Sequence, residues 1–168
     1  MQFTEINSPL GPLTLAASQH GLAGVYFEEH RHFNGVGGWA RAPDLPVFEI
    51  VTQQLNEFFD GTRMTFDLPL DLSAGTLFQQ QVWRALQTIP FGETWSYGEL
   101  ARRLANSKAV RAVGAANGRN PLSIIIPCHR VIAANGELTG YAGGLKNKQA
   151  LLKFEAEKHQ LFRSSFSS

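Results

Sequence analysis

The sequence predicts an α+β fold in two parts. A small β-sheet and helix domain spans residues 1–75, and a mostly helical domain with a helix-turn-helix spans residues 76–168. Three observations predict it. Strand-like alternation between turn residues is concentrated in the first part. Capping boxes and helical apolar faces cluster in the second. Charge divides at the same place: residues 1–75 carry three basic against nine acidic residues, net −6, and residues 76–168 carry twelve against five, net +7.

The elements follow in order. Pro9-Leu10-Gly11-Pro12 is a turn, and Leu10 to Ala17 reads as a strand. Ser18-Gln19-His20-Gly21 turns the chain into a second strand, Leu22 to Phe27, giving a hairpin. Residues 28–46 are rich in Gly, Pro and His without a period, and read as loop. His30 and His32 alternate there, but no cysteine and only His20 lie near. They read as exposed loop histidines, and no metal is expected. Phe48, Val51, Leu55, Phe58 and Phe59 follow helical spacing, with Gly61 to end the helix. Thr65 to Leu70 alternates as a third strand.

In the second part, Thr76-Leu77-Phe78-Gln79 fits a capping box, opening a helix with Phe78, Val82, Trp83 and Leu86 on one face. Ser96-Tyr97-Gly98-Glu99 fits another, with Leu100 and Leu104 inward. A turn at Ala105-Asn106-Ser107 leads to a helix from Lys108 to about Asn117, with Val110 and Val113 inward. Its other positions are mostly small: Ala109, Ala112, Gly114, Ala115 and Ala116. Such a helix can lie close against another surface, and Arg111 is the one long side chain near its start. Ile124 to Ile126 reads as a short buried strand, ended by Pro127. Residues 139–144 form a glycine-rich loop around Tyr141, without the spacing or lysine of a phosphate loop. Residues 147–158 close as a helix with Leu151, Leu152 and Phe154 buried.

Composition excludes several classes. No apolar run approaches the ~18 residues of a membrane span. The N-terminus lacks the basic and apolar regions of a secretion signal. The single cysteine, Cys128, allows no internal disulfide and suits a reducing, cytoplasmic setting. The basic second part suits an anionic partner, nucleic acid first.

The chemistry converges on Pro127-Cys128-His129-Arg130. A thiol is a strong nucleophile only as thiolate, so a reactive Cys128 needs a base. His129 is adjacent and can act directly or through a water. The base in turn needs an orienting group. Glu155, beside the apolar stripe of the last helix, is the best candidate. Tyr141 suits stacking on a flat ligand.

Pro127-Cys128-His129-Arg130-Val131-Ile132 resembles the active-site signature of the O6-alkylguanine-DNA alkyltransferases, also called methylated-DNA–protein-cysteine methyltransferases. The similarity extends through Ser96 to Ala101, Arg111 to Gly114, Asn120-Pro121, Gly140 to Gly144 and Lys148 to Glu155. It implies a ribonuclease-H-like first domain and a winged-helix-like second one. It implies transfer of an alkyl group from O6 of guanine in double-stranded DNA to Cys128, once per chain and without a cofactor. His129 would take the thiol proton through a water, and Glu155 would orient His129. Asn120 would brace the active-site turn, and Tyr97 would donate a proton toward the guanine ring. The Val131 carbonyl and the backbone around Tyr141 and Ala142 would read the flipped base. Ser123 and Ala142 would bear on pocket size. Arg111 would fill the gap in the duplex, with Ala112 and Gly114 lying close to DNA. Lys108 and Arg119, with Arg102 and Arg103, are candidate phosphate partners. The cysteine ligands of a zinc site that some relatives carry are absent, so no metal is implied. The expected form is a monomer, with cooperative assembly on DNA left open and O4-alkylthymine as a second candidate lesion. A cysteine hydrolase or acyltransferase and a non-catalytic helix-turn-helix protein are the alternatives.

Overall fold

The computed structural model describes residues 1–166. A four-stranded sheet comes first: β1 (Gln2–Ile6), β2 (Leu13–Ser18), β3 (Gly21–Phe27) and β4 (Ala40–Arg41), in spatial order β3-β2-β1-β4. The pairs β1–β2 and β2–β3 are antiparallel, and β4 joins β1 in parallel through two residues. The expected hairpin is therefore β2–β3. The opening strand and the short β4 lie where no alternation marked them. Helix α1 (Pro46–Phe59) packs Phe48, Val51, Leu55 and Phe58 inward, as their spacing predicts.

Residues 65–70 do not form a strand. They run extended and make one bridge, Leu70 with Leu22 on the outer edge of β3. Their alternating pattern reflects a segment that covers a sheet edge, which needs one buried face but no ladder.

The second half is mainly helical: α2 (Leu77–Leu86), β5 (Trp95–Ser96), α3 (Tyr97–Arg103), α4 (Val110–Gly118), a 3₁₀ turn at Cys128–Arg130, β6 (Val131–Ile132) and α5 (Leu145–Phe166). The Thr76 capping box is complete: Thr76 Oγ1 accepts from the Gln79 N–H at 3.1 Å, and Gln79 Oε1 accepts from the Thr76 N–H at 2.9 Å. At α3 only half of the box forms. Ser96 Oγ caps the Glu99 N–H, but the Glu99 carboxylate turns to Arg102 and Arg103 instead. Two guanidinium partners outcompete one backbone N–H for a carboxylate. Val113 is buried, but Val110 faces outward, because the helix starts two residues later than the sequence suggests.

The largest departure concerns residues 124–126, which are buried but form a tight turn rather than a strand. Ile124 adopts a left-handed backbone, φ 73°. The Ile126 N–H donates to Leu122 O, and the Cys128 N–H to Ile126 O. Asn120 supplies the rest: its Nδ2 donates to Ile126 O at 2.8 Å, and its Oδ1 accepts from the Leu122 N–H at 2.9 Å. A side chain thus takes the place of a neighbouring strand. Three apolar residues in a row report burial, not conformation.

This turn sits on the sheet. The Val25 N–H donates to Pro121 O, and the Ser123 N–H to Val25 O, so the edge of β3 carries the segment that leads to Cys128. The core is continuous across the two halves. Phe58 of α1 meets Phe91 and Phe154 with ring centroids 5.9 and 5.4 Å away.

Thr76→Ala is expected to destabilise the protein by about 1 kcal/mol, while Thr76→Ser stays near the unaltered value. Urea unfolding of both variants checks this; equal stability of all three proteins would show that the box contributes nothing.

Candidate active site

The site is built from the Asn120-braced turn, the 3₁₀ turn that follows, the loop around Tyr141 and helix α5. Cys128 opens the 3₁₀ turn and is 2% exposed. Burial pushes its thiol up to about 11, against the pull of the Asn120 amide and the Lys148 ammonium. Almost no thiolate exists at neutral pH, so the proton must leave as part of the reaction.

His129 is fully buried. Its Nε2 lies 2.7 Å from Glu155 Oε2. A carboxylate only accepts, so Nε2 carries the proton and Nδ1 of the neutral ring holds a bare lone pair. Among the described residues, no group pairs with Nδ1. Burial holds His129 below its ordinary pKa despite the Glu155 charge, and Arg130 and Lys148 add to the depression. The ring is thus neutral, oriented and able to accept a proton, with Glu155 placed to stabilise the imidazolium.

Glu155 itself opposes two forces. Burial raises its pKa, but His129 and Arg130 outweigh this and hold it at about 2. Arg130 grips the carboxylate with both ends of its fork, Nε to Oε1 at 2.7 Å and Nη2 to Oε2 at 3.0 Å, while Nη1 donates to Ile89 O. Sequence reasoning assigned Arg130 no role. Its signal was a charged residue set between the apolar run of Ile124 to Ile126 and the apolar pair Val131-Ile132, a position that demands a buried partner.

Lys148 is a second group that the sequence did not single out. It is buried, donates to Val131 O at 2.7 Å and Thr139 O at 2.8 Å, and burial lowers its pKa to about 8. It ties β6 to the loop that leads to Tyr141.

A cleft of about 650 Å³ opens beside these groups. Tyr97, Val110, Gly114, Ala115 and Arg119 line one side, and Thr139 to Ala142 the other. Tyr97 Oη is 2.9 Å from Thr139 Oγ1 across it. Tyr141 joins cleft to cysteine: its ring stands edge-on to His129 with centroids 6.4 Å apart. Its buried hydroxyl lies near Ser123 without a formed hydrogen bond among the described residues, and burial, reinforced by Cys128, keeps it a phenol. Arg111 and Ala112 lie on the exposed face of α4, outside the cleft lining, with Lys108 and Arg119 also exposed. These three basic residues form no ion pair among the described residues, whereas Arg102 and Arg103 both bind Glu99. Ser123 is wholly buried and meets His30, which is half-buried rather than the exposed loop residue expected. No group of three potential metal ligands occurs among the described residues.

Residues 1–72 match the ribonuclease-like domain of 6-O-methylguanine DNA methyltransferase, and residues 77–157 match its DNA binding domain. The chain belongs to the methylated-DNA–protein-cysteine methyltransferases. The methyltransferase of Mycobacterium tuberculosis is 48% identical over 158 residues, 94% of each chain. That of Methanosarcina mazei is 49% identical over 156 residues, 92% of this chain and 97% of that one. The crystal structure of Mycobacterium tuberculosis OGT in complex with DNA superposes with a TM-score of 0.86 at 47% identity, covering 94% of both chains. The O6-methylguanine DNA methyltransferase of Methanococcus jannaschii gives 0.63 at 28% identity, over 91% of this chain and 93% of that one. Within this family of methyltransferases, the chain keeps a two-part architecture of a small β/α domain and a helical domain with a helix-turn-helix-like region.

Glu155→Gln is expected to lower stability by about 3 kcal/mol at pH 7, because Arg130 loses its buried counter-charge. The sign with pH is fixed by the depressed Glu155 pKa. Its contribution is present above the ordinary value of 4.5 and is lost as pH falls through about 2. Depressed His129 adds a loss that begins as pH falls below 6.5. Denaturant unfolding from pH 7 to pH 3 checks this: the variant keeps the upper decline and loses the lower one.

Proposed function

We propose that the chain repairs alkylated DNA directly, moving the alkyl group from O6 of guanine to Sγ of Cys128 in a single turnover. The observation that carries this reading is the protonation pattern at His129. Its Nε2–H is committed to Glu155 and its Nδ1 is bare, one residue from a buried thiol beside a cleft of about 650 Å³.

Sγ attacks the alkyl carbon in line with the O6–carbon bond. That bond breaks, and its electron pair stays on guanine. The thiol proton passes through a water to His129, which a neutral ring permits. Tyr97, aligned by Thr139, donates a proton toward the guanine ring, making it a better leaving group. The product is a thioether, which no neighbouring group can cleave, so each chain acts once. Coupling deprotonation to transfer suits a thiol whose pKa stands at about 11.

An alkyl group on O6 is unreachable inside a stacked duplex, so the nucleotide must be extruded, at a cost of a few kcal/mol. The flipped base enters between Tyr97 and Tyr141, its edge read by the Val131 carbonyl and the backbone of Tyr141 and Ala142. Arg111 occupies the gap left behind. The exposed Ala112 and Ala115, with Gly114 between them, let α4 lie close in the minor groove, where contacts carry little sequence information. Lys108 and Arg119 meet phosphates. O4-alkylthymine is a second lesion of the same chemistry. The chain acts as a monomer, in the cytoplasm.

Incubation with duplex DNA containing O6-methylguanine is expected to add one methyl group per chain, on the peptide holding Cys128, and none in Cys128→Ala. Intact-protein mass with peptide mapping measures this, and repeated turnover would favour the hydrolase. Arg111→Ala is expected to keep the rate on free O6-alkylguanine and to slow repair of duplex DNA by on the order of tenfold or more. Equal losses on both substrates would remove the gap-filling role.

A further inference from the structure

We infer that His30 is a positioning residue for the Cys128 site, and that the turn over residues 30–33 fixes both walls of that site from the N-terminal half. The inference rests on the alkyl-transfer reading above.

The turn follows β3 and is held rigid. His30 O accepts from the Phe33 N–H, and His32 takes a left-handed backbone, φ 66°. Tyr26 of β3 stacks on Phe33, centroids 3.9 Å apart, and meets His30 edge-on at 5.2 Å. Two hydrogen bonds leave this turn for the C-terminal half. His30 Nε2 lies 2.8 Å from Ser123 Oγ, and the Arg31 N–H donates to Ala142 O at 2.8 Å. Ser123 belongs to the Asn120-braced turn that delivers Cys128, and Ala142 follows Tyr141. One turn thereby grips each of the two segments that frame the reacting thiol. Phe27, at the end of β3, adds a packing contact: its ring meets Tyr141 at 6.0 Å and leaves no room for a side chain at Gly143, whose added Cβ would fall 2.3 Å from it.

The tautomer of His30 gives the contact its direction. Nδ1 lies 2.9 Å from Arg31 O, a carbonyl that only accepts. Nδ1 therefore carries the proton, and the bare Nε2 accepts from the Ser123 hydroxyl. Burial lowers the His30 pKa, which agrees with a neutral ring. Ser123 is 0% exposed, so without His30 its hydroxyl loses this acceptor where water does not replace it. The turn before Cys128 would then relax toward another partner.

The test is single-turnover methyl transfer from duplex DNA containing O6-methylguanine, read as protein mass against time over a range of DNA concentrations. The variants are His30→Leu, His30→Gln, Ser123→Ala and the double variant His30→Leu with Ser123→Ala. Glutamine can set a carbonyl oxygen where Nε2 stands. His30→Leu is expected to slow the saturated transfer step on the order of tenfold, with half-saturation unchanged. His30→Gln recovers most of that rate, and the double variant is no slower than the slower single one. Equal loss in the leucine and glutamine variants, multiplying losses in the double variant, or a loss confined to half-saturation would each overturn the inference. If His30→Leu does not fold, Ser123→Ala decides alone: slowed transfer supports the inference, and an unchanged rate overturns it. An unaltered protein that gains no methyl group overturns the alkyl-transfer reading and this inference with it. One that does gain it, with every variant matching its rate, overturns this inference alone.

Discussion

A single buried carboxylate organises the second half of the molecule. Glu155 comes from α5, yet its two oxygens serve residues on the 3₁₀ turn, His129 on one side and Arg130 on the other. Without it, the 3₁₀ turn would bury a guanidinium with no counter-charge, and the imidazole would lose the acceptor that fixes its tautomer. Helix α5 is thus anchored by charge beside its apolar contact at Phe154. The same bond that holds the helix decides which nitrogen of His129 is free. Structure and chemistry share one interaction here, which is an economical use of a group that is costly to bury.

Much of this was legible in the residues. The hairpin, α1, the Thr76 box and the pairing of His129 with Glu155 follow from period, caps and the rule that a base needs an orienter. What was not legible has a common cause. At residues 124–126, at residues 65–70 and at His30, the conformation is set by partners that no periodic pattern names: the Asn120 side chain a few residues back, the edge of β3 and Ser123. Local pattern registers that these residues are buried but not what buries them. Arg130 and Lys148 were missed for the opposite reason. Charged residues are seldom buried, whereas both are satisfied inside by acceptors that a one-dimensional reading cannot pair with them.

The two halves differ in charge yet share one core. The aromatic contacts of Phe58 with Phe91 and Phe154, and the bonds from β3 to Pro121 and Ser123, make the acidic half a support for the reactive turn rather than a separate module. Basic residues on α4 and beside it form no ion pair among the described residues, and small side chains keep the surface low there. Ala112 and Ala115 are exposed there, so this face of α4 is low and open.

The outer edge of β3 has a consequence for how the chain is made. Its ladder groups at Leu22 and Val25 are covered by Leu70 and by Leu122, the latter almost a hundred residues downstream. On the ribosome, the first three strands are complete long before Leu122 emerges. Until then the nascent sheet carries an open edge, the kind of surface that pairs with other chains. Residues 65–70 close part of it early, and the remainder waits for the segment that bears the cysteine. Maturation of the reactive turn and protection of the newborn sheet are thus a single event. A chain truncated before Leu122 is left not with half an activity but with an exposed strand.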